Sequence, residues 1–130
     1  MAVFDTNIII DYLRGKERAA TVISEYGTEG IAITAVTGYE LIKGYVGVAE
    51  EAKLNELFSR IKIYPLDSIA MKHAGRLYRE LKGAGKLKKE ADLLIAGIAI
   101  ANGETLVTDD KKDFSELTGA MGNSLVILKE

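Results

Sequence analysis

Apolar residues along the chain follow two rhythms: short runs in which consecutive positions are apolar, and longer stretches in which apolar side chains recur every three or four residues. The first run, Ala2-Val3-Phe4, stops at Asp5, and the segment that follows, carrying Ile8, Ile9, Ile10 and Leu13, predicts a short helix over 6–14 closed by Gly15. Glu17 to Tyr26 has the spacing of an amphipathic helix. Ile31-Ala32-Ile33 predicts a strand, and Thr34 is placed to cap a helix holding Val36, Tyr39, Glu40 and Ile42. Gly44 and Gly47 interrupt that pattern before a further helix from Glu50 to Arg60. Ile61 to Tyr64 alternates like a strand and stops at Pro65, after which Asp67 or Ser68 can cap a helix with Ala70, Ala74, Leu77 and Leu81 on one face, ended by Gly83-Ala84-Gly85. Glu90-Ala91-Asp92 opens an apolar helix that Asn102-Gly103 ends, Thr105 to Thr108 is a strand, and Ser124 to Leu128 predicts an edge strand.

Strands alternating with helices across short loops predict a parallel sheet covered on both faces, an α/β fold of three layers. The 130 residues suit a single domain over 1–130, and 48% hydrophobic with 28% charged residues predicts that the whole chain folds. The longest apolar run, Leu93 to Ala101, is too short to span a bilayer, which takes roughly 20 residues, so no membrane is expected. The N-terminus has no basic segment followed by a long apolar core, so a cytoplasmic location is expected.

Without cysteine there is no disulfide or thiolate metal site, and the one histidine, His73, excludes an ordinary zinc site, leaving oxygen as the expected metal-ligand chemistry. A net charge of −2 gives no bulk attraction to nucleic acid, although Lys86, Lys88, Lys89, Lys111 and Lys112 flank two of the acids discussed next and are candidate RNA contacts.

Asp5 and Asp110 both follow apolar strands, and in a parallel sheet with those strands adjacent they emerge at one edge, where such folds bind ligands. Each also has an ordinary explanation as a helix cap, with Asp109 and Asp113 competing for the role of Asp110. Thr37-x-x-Glu40 matches a capping box, but a cap at Thr34 turns Glu40 into an acid on the second turn. Asp92 suits a first helical turn electrostatically, yet it lies among Ala91, Leu93, Leu94 and Ile95, where an unpaired carboxylate is costly. If Asp5, Glu40, Asp92 and Asp110 converge, their mutual repulsion calls for a hard cation, Mg2+ or Mn2+. That points to metal-assisted hydrolysis of phosphodiesters, and the later acids favour a site role for Asp5 over capping.

Val3-Phe4-Asp5-Thr6-Asn7, Glu40, Ala91-Asp92-Leu93-Leu94-Ile95-Ala96 and Leu106-Val107-Thr108-Asp109-Asp110 with Asp113-Phe114 together resemble the PIN domain, specifically the VapC-type toxins of toxin-antitoxin pairs. The resemblance implies a five-stranded parallel sheet of order 3-2-1-4-5 and a Mg2+- or Mn2+-dependent endoribonuclease. It further implies metal binding by Asp5, Glu40, Asp92 and Asp110, hydrogen-bonded support from Asn7 and Thr108, and an added acidic contact from Asp113. Asp109 stands where the family often has a basic residue. A homodimer and inhibition by a cognate antitoxin are also implied, with the helices from Thr34 to Arg60 as part of the protein contact surface. Two rival classes remain: a phosphatase of the haloacid dehalogenase type, or a receiver-like domain, which also place acids at strand ends, and a non-catalytic module of the same fold that binds RNA or protein. The first wants Asp-x-Asp, and Asn7 holds the second position.

Overall fold

A computed structural model of the chain describes residues 1–86 and 89–129. Five strands, β1 (Ala2–Phe4), β2 (Ile31–Thr34), β3 (Lys62–Tyr64), β4 (Thr105–Thr108) and β5 (Leu125–Ile127), form one sheet of order β3-β2-β1-β4-β5 in which every pair is parallel. The expected order is thus found, with β1 in the centre and β5 at an edge.

Period-two alternation explains the layering. Val3, Ala32 and Leu106 point to one face, where they pack with α5 (Ser68–Gly83) and α6 (Glu90–Ala101) through Leu77, Leu81, Leu93 and Ala96. Phe4, Ile33 and Val107 point to the other, against Ile8 and Ile9 of α1 (Thr6–Leu13), Val22 and Ile23 of α2 (Glu17–Tyr26), Leu41 of α3 (Ala35–Gly44) and Leu54 of α4 (Gly47–Arg60). Both faces of β1 are buried, so its three residues are all apolar and its end can only be reached along the strand axis.

Thr34 caps α3 by accepting from the Thr37 amide at 3.1 Å, and Asp67 caps α5 by accepting from the Ala70 amide at 2.9 Å. Two boundaries differ from the sequence reading. The fourth helix begins at Gly47, not Glu50, because the Glu50 carboxylate reaches back to the Val46 amide and ties the first turn, while Gly47 supplies a φ of +84° at the entry. A short helix α7 (Lys111–Phe114), too brief to leave a hydrophobic period, follows β4, and the turn-rich segment after it includes α8 (Thr118–Met121). Among the described residues no helix is long and apolar enough to cross a membrane.

Helices α5 and α6 touch most closely at Gly97, where an added Cβ would lie 2.8 Å from both Cβ and N of Ala74 and 2.9 Å from the Ala70 carbonyl oxygen. Alanine in a helix interior gains up to about 1 kcal/mol over glycine, but overpacking costs about 1–3 kcal/mol and here the obstacle includes backbone. Gly97→Ala is therefore expected to lower the unfolding free energy by a net of about 1 kcal/mol, seen as a lower urea midpoint with an unchanged slope. Gly75→Ala on α5 meets only the flexible end of Arg79 at 3.6 Å and should raise it. Equal shifts in the two variants would refute this account of the seam.

Candidate active site

The sheet carries its acids to the carboxyl end of β1. Asp5 extends the β1–β4 ladder, its amide donating to the Val107 carbonyl at 2.9 Å, and only 4% of its surface is exposed. Its Oδ1 accepts from the Thr6 amide and its Oδ2 from the Thr108 hydroxyl, both at 2.8 Å. Asp5 is therefore also the cap of α1, so the two roles weighed against each other in the sequence coincide in one side chain. Thr108, wholly buried at the end of β4, passes the order onward: its Oγ1 accepts from the Asp110 amide at 3.0 Å. Asp110 Oδ1 in turn accepts from the Asp113 amide at 3.0 Å, which starts α7, and the Asp113 carboxylate pairs with Lys89 Nζ at 3.3 Å.

Asp92 enters from the other side, on the first turn of α6. Its Oδ2 is enclosed and has no hydrogen-bond partner among the described residues. Burial is the largest reason its pKa rises, to about 7, followed by the charges of Asp113, Asp5 and Asp110, with Lys89 opposing them. Asp5 is pushed up to about 6, again by burial first; the bonds from Thr108 and Thr6 pull it down, and the charges of Asp110 and Asp109 add to the rise. Lys89 is fully exposed, and its pKa is raised, most by its bond to Asp113.

Glu40, on the second turn of α3, joins this group through an intermediary: its Oε1 accepts from the Thr6 hydroxyl at 2.7 Å, and Thr6 Oγ1 lies 2.9 Å from Thr37 Oγ1. Asp109 instead lines a hollow beside Asp11, Lys16 and Arg18 of the first two helices and the loop between them, so Asp110 is the acid of that pair joined to Thr108. Among the described residues no hydrogen bond from the Asn7 side chain to the acids is found: Asn7 is exposed one position past the inward-facing Thr6, and a step of about 100° around the helix turns it to solvent.

Of the candidate RNA contacts, Lys86 pairs with Glu116 at 3.4 Å and Lys89 with Asp113, while Lys111 and Lys112 are exposed on α7. Lys88 lies outside the described residues. His73 lies on α5 beside Arg76, at 3.3 Å. Sequence reasoning passed over Thr6 and Thr37; the signal available was a pair of hydroxyls, one adjoining Asp5 and one three residues before Glu40.

Whether these residues suit a divalent cation is decided by their unsatisfied oxygens. Among the described residues no three acids or histidines already enclose a point at ligand distance, so a closed protein cage is excluded. An orphaned buried oxygen on Asp92, beside a buried Asp5 that still has open lone pairs, nonetheless suits magnesium or manganese, because magnesium is commonly held by one or two carboxylates and several waters. The residues fit the ion in that open form.

Comparison with known proteins agrees with the geometry. Residues 2–120 match the PIN domain family. The chain is 34% identical to Ribonuclease VapC1 of Methanocaldococcus jannaschii over 113 residues, covering 87% of this chain and 78% of that protein. It is 29% identical over 125 residues to the tRNA(fMet)-specific endonuclease VapC of Shigella flexneri, covering 90% and 92% respectively. A solved toxin-antitoxin complex from Klebsiella pneumoniae contains a chain that superposes with a TM-score of 0.82 at 25% identity, over 100% of this chain and 99% of that one.

The raised carboxyl groups make stability depend on pH in a definite sense. Asp92 has a pKa of about 7 when folded against 3.8 ordinarily, so between these values the folded chain holds a proton that the unfolded chain has released, and stability falls as pH rises through that window. Below it the charge is absent from both states. Asp92→Asn should therefore gain stability over the parent as pH is raised from about 4 to about 8 in metal-free buffer, by about 1–3 kcal/mol after allowance for solvent screening. Urea unfolding of both proteins at the two pH values measures the difference; a gap that does not grow with pH would contradict the assigned electrostatics.

Proposed function

The chain belongs to the PIN domain family, and on that premise we propose that it is a Mg2+- or Mn2+-dependent endoribonuclease, the toxin of a toxin-antitoxin pair acting in the cytoplasm. The observation that carries the chemical part of this reading is the enclosed Oδ2 of Asp92, without a hydrogen-bond partner among the described residues, on a carboxylate that feels the charges of Asp113, Asp5 and Asp110. An oxygen in that state needs a proton or a cation, and a catalyst of phosphodiester hydrolysis uses the cation.

Asp5 and Asp92 would hold the ion, Asp110 and Glu40 would meet its bound waters, and Asp113 adds negative charge near Asp92. When bound, the ion lowers the pKa of water and neutralises charge growing on the phosphate oxygens. The chain itself supplies orientation. Thr108 and the Thr6 amide fix both oxygens of Asp5, and the Thr108–Asp110 link keeps the two strand ends in register. Lys89, exposed and paired with Asp113, is a candidate to meet a phosphate of the substrate, as are the exposed Lys86, Lys111 and Lys112. No side chain acts as a covalent nucleophile. The phosphatase alternative gains no support from Asn7, an exposed amide where a second acid would be required.

For partners, the similarity to the solved toxin-antitoxin complex supports a cognate antitoxin. Tyr39 and Ile42 on α3, Val46 in the loop after it and Val48 at the start of α4, the last two 79% and 82% exposed, lie in the stretch proposed as part of the contact surface with the antitoxin or a second copy in a homodimer.

The decisive assay is cleavage of end-labelled RNA with Mg2+ or Mn2+. Asp5→Asn and Asp92→Asn should each reduce the rate about a hundredfold or more, and a chelator should abolish it. Cutting that persists in Asp5→Asn or in chelator would trace the activity to a contaminant, and no cutting with either ion would favour the binding-module reading. In sedimentation at micromolar concentration a monomer would remove the homodimer.

A further inference from the structure

We infer that Thr6 is a positioning residue for Glu40, a hydroxyl that holds the acid of α3 in place while its own backbone holds Asp5. The inference rests on the metal-dependent nuclease reading above and deepens it.

The direction of each hydrogen bond follows from counting protons. An ionised carboxylate only accepts, so the 2.7 Å contact between Thr6 Oγ1 and Glu40 Oε1 uses the single hydrogen of the Thr6 hydroxyl. The 2.9 Å contact between Thr6 Oγ1 and Thr37 Oγ1 must then be donated by Thr37. Thr37 is wholly buried and Thr6 is 8% exposed, and Thr37 is held in turn by its amide bond to the α3 cap, Thr34. The result is a one-way relay from Thr37 to Thr6 to Glu40, with the Thr6 amide donating separately to Asp5 Oδ1 at 2.8 Å.

Burial explains why the Thr6 hydrogen needs an acceptor, since the Thr6–Thr37 contact uses only one of the two hydroxyl hydrogens. It does not explain why Glu40 is held, because Glu40 is only half-buried, with water available to its carboxylate. The third bond serves to choose one rotamer of a long side chain that otherwise has many. Its consequence is that one residue ties two acids on different elements, Asp5 at the end of β1 and Glu40 in α3, to a common position.

The test is a double-mutant cycle between Thr6→Val, which removes the hydroxyl at nearly constant shape, and Glu40→Ala, which removes the acceptor, read out as Mn2+ affinity by titration calorimetry and as kcat and KM for RNA cleavage. Thr6→Val should weaken Mn2+ binding and lower kcat about 10- to 100-fold, the usual effect of losing a group that orients a metal ligand, with little change in KM. Thr6→Ser should restore both. In the Glu40→Ala background Thr6→Val should cost less than about twofold more. Additive losses in the cycle, or an unchanged Mn2+ affinity in Thr6→Val, would overturn the proposal. If Thr6→Val does not fold, the cycle is run with Thr6→Ala. A chain that unfolds with either but folds with Ser would make the hydroxyl structural and equally overturn it. A parent protein that binds Mn2+ yet cuts no RNA would count against the nuclease reading alone, since the binding cycle still reports on Thr6; one that binds no Mn2+ sinks both.

Discussion

The structure turns on one constraint, that the central strand of a fully covered sheet ends in a carboxylate. With β1 flanked by β2 and β4 and packed on both faces, Asp5 is almost fully buried and takes hydrogen bonds from the chain around it. Two donors are available at that spot, the first amide of α1 and the hydroxyl at the end of β4, and both are used. Those two bonds stabilise the charged form, yet burial still outweighs them, and the net pKa is raised to about 6. The folded chain thus retains a carboxylate whose demand for positive charge exceeds what its own donors supply.

The same imbalance spreads to the neighbouring elements. Asp92 adds a second enclosed acid, and the charges of Asp110 and Asp113 raise it further. Lys89 is a cation placed near this group, but it sits fully exposed and hydrated, and its pairing is with Asp113, so its field at Asp92 is screened. Buried carboxylates that repel one another are destabilising for the folded chain. Any cation that binds the folded state and not the unfolded one returns that free energy as stability, which links folding to occupancy of the site.

The hydrophobic pattern made the strands, most of the helices and the three layers readable, because burial on both faces writes short continuous apolar runs into β1, β2 and β4 and a period near 3.6 into α5. It did not contain the strand order; that came from the spacing of the acids through their likeness to a family, since which parallel strands are neighbours depends on crossovers that leave no local mark. The caps at Thr34 and Asp67 were legible as side-chain chemistry. What escaped was of two kinds. The entry of α4 and the whole of α7 depend on a single carboxylate closing a turn, Glu50 in one case and Asp110 in the other, and neither has a periodic signature. The Thr6–Thr37 contact joins positions 31 apart and exists only because α1 and α3 pack side by side. Asn7 failed in the opposite sense: its motif suggested support, and helix geometry turned it outward.

Capping and ligand binding were weighed as alternatives for Asp5 and Asp110, and the structure dissolves the opposition. A cap uses one lone pair, and an ionised carboxylate has about four. Asp110 gives Oδ1 to the Asp113 amide and Asp5 gives one contact from each oxygen, so in both the bond that starts a helix also fixes the direction of the remaining lone pairs. Asp92 is oriented without such a bond, by its place on the first turn of α6 among packed apolar neighbours, and keeps one oxygen entirely unpartnered. Helix starts are therefore an economical place to build a site for a hard cation: the backbone amides that need acceptors aim the acids, the conformational entropy of those side chains is already lost on folding, and the acceptor capacity left over is what the ion would meet.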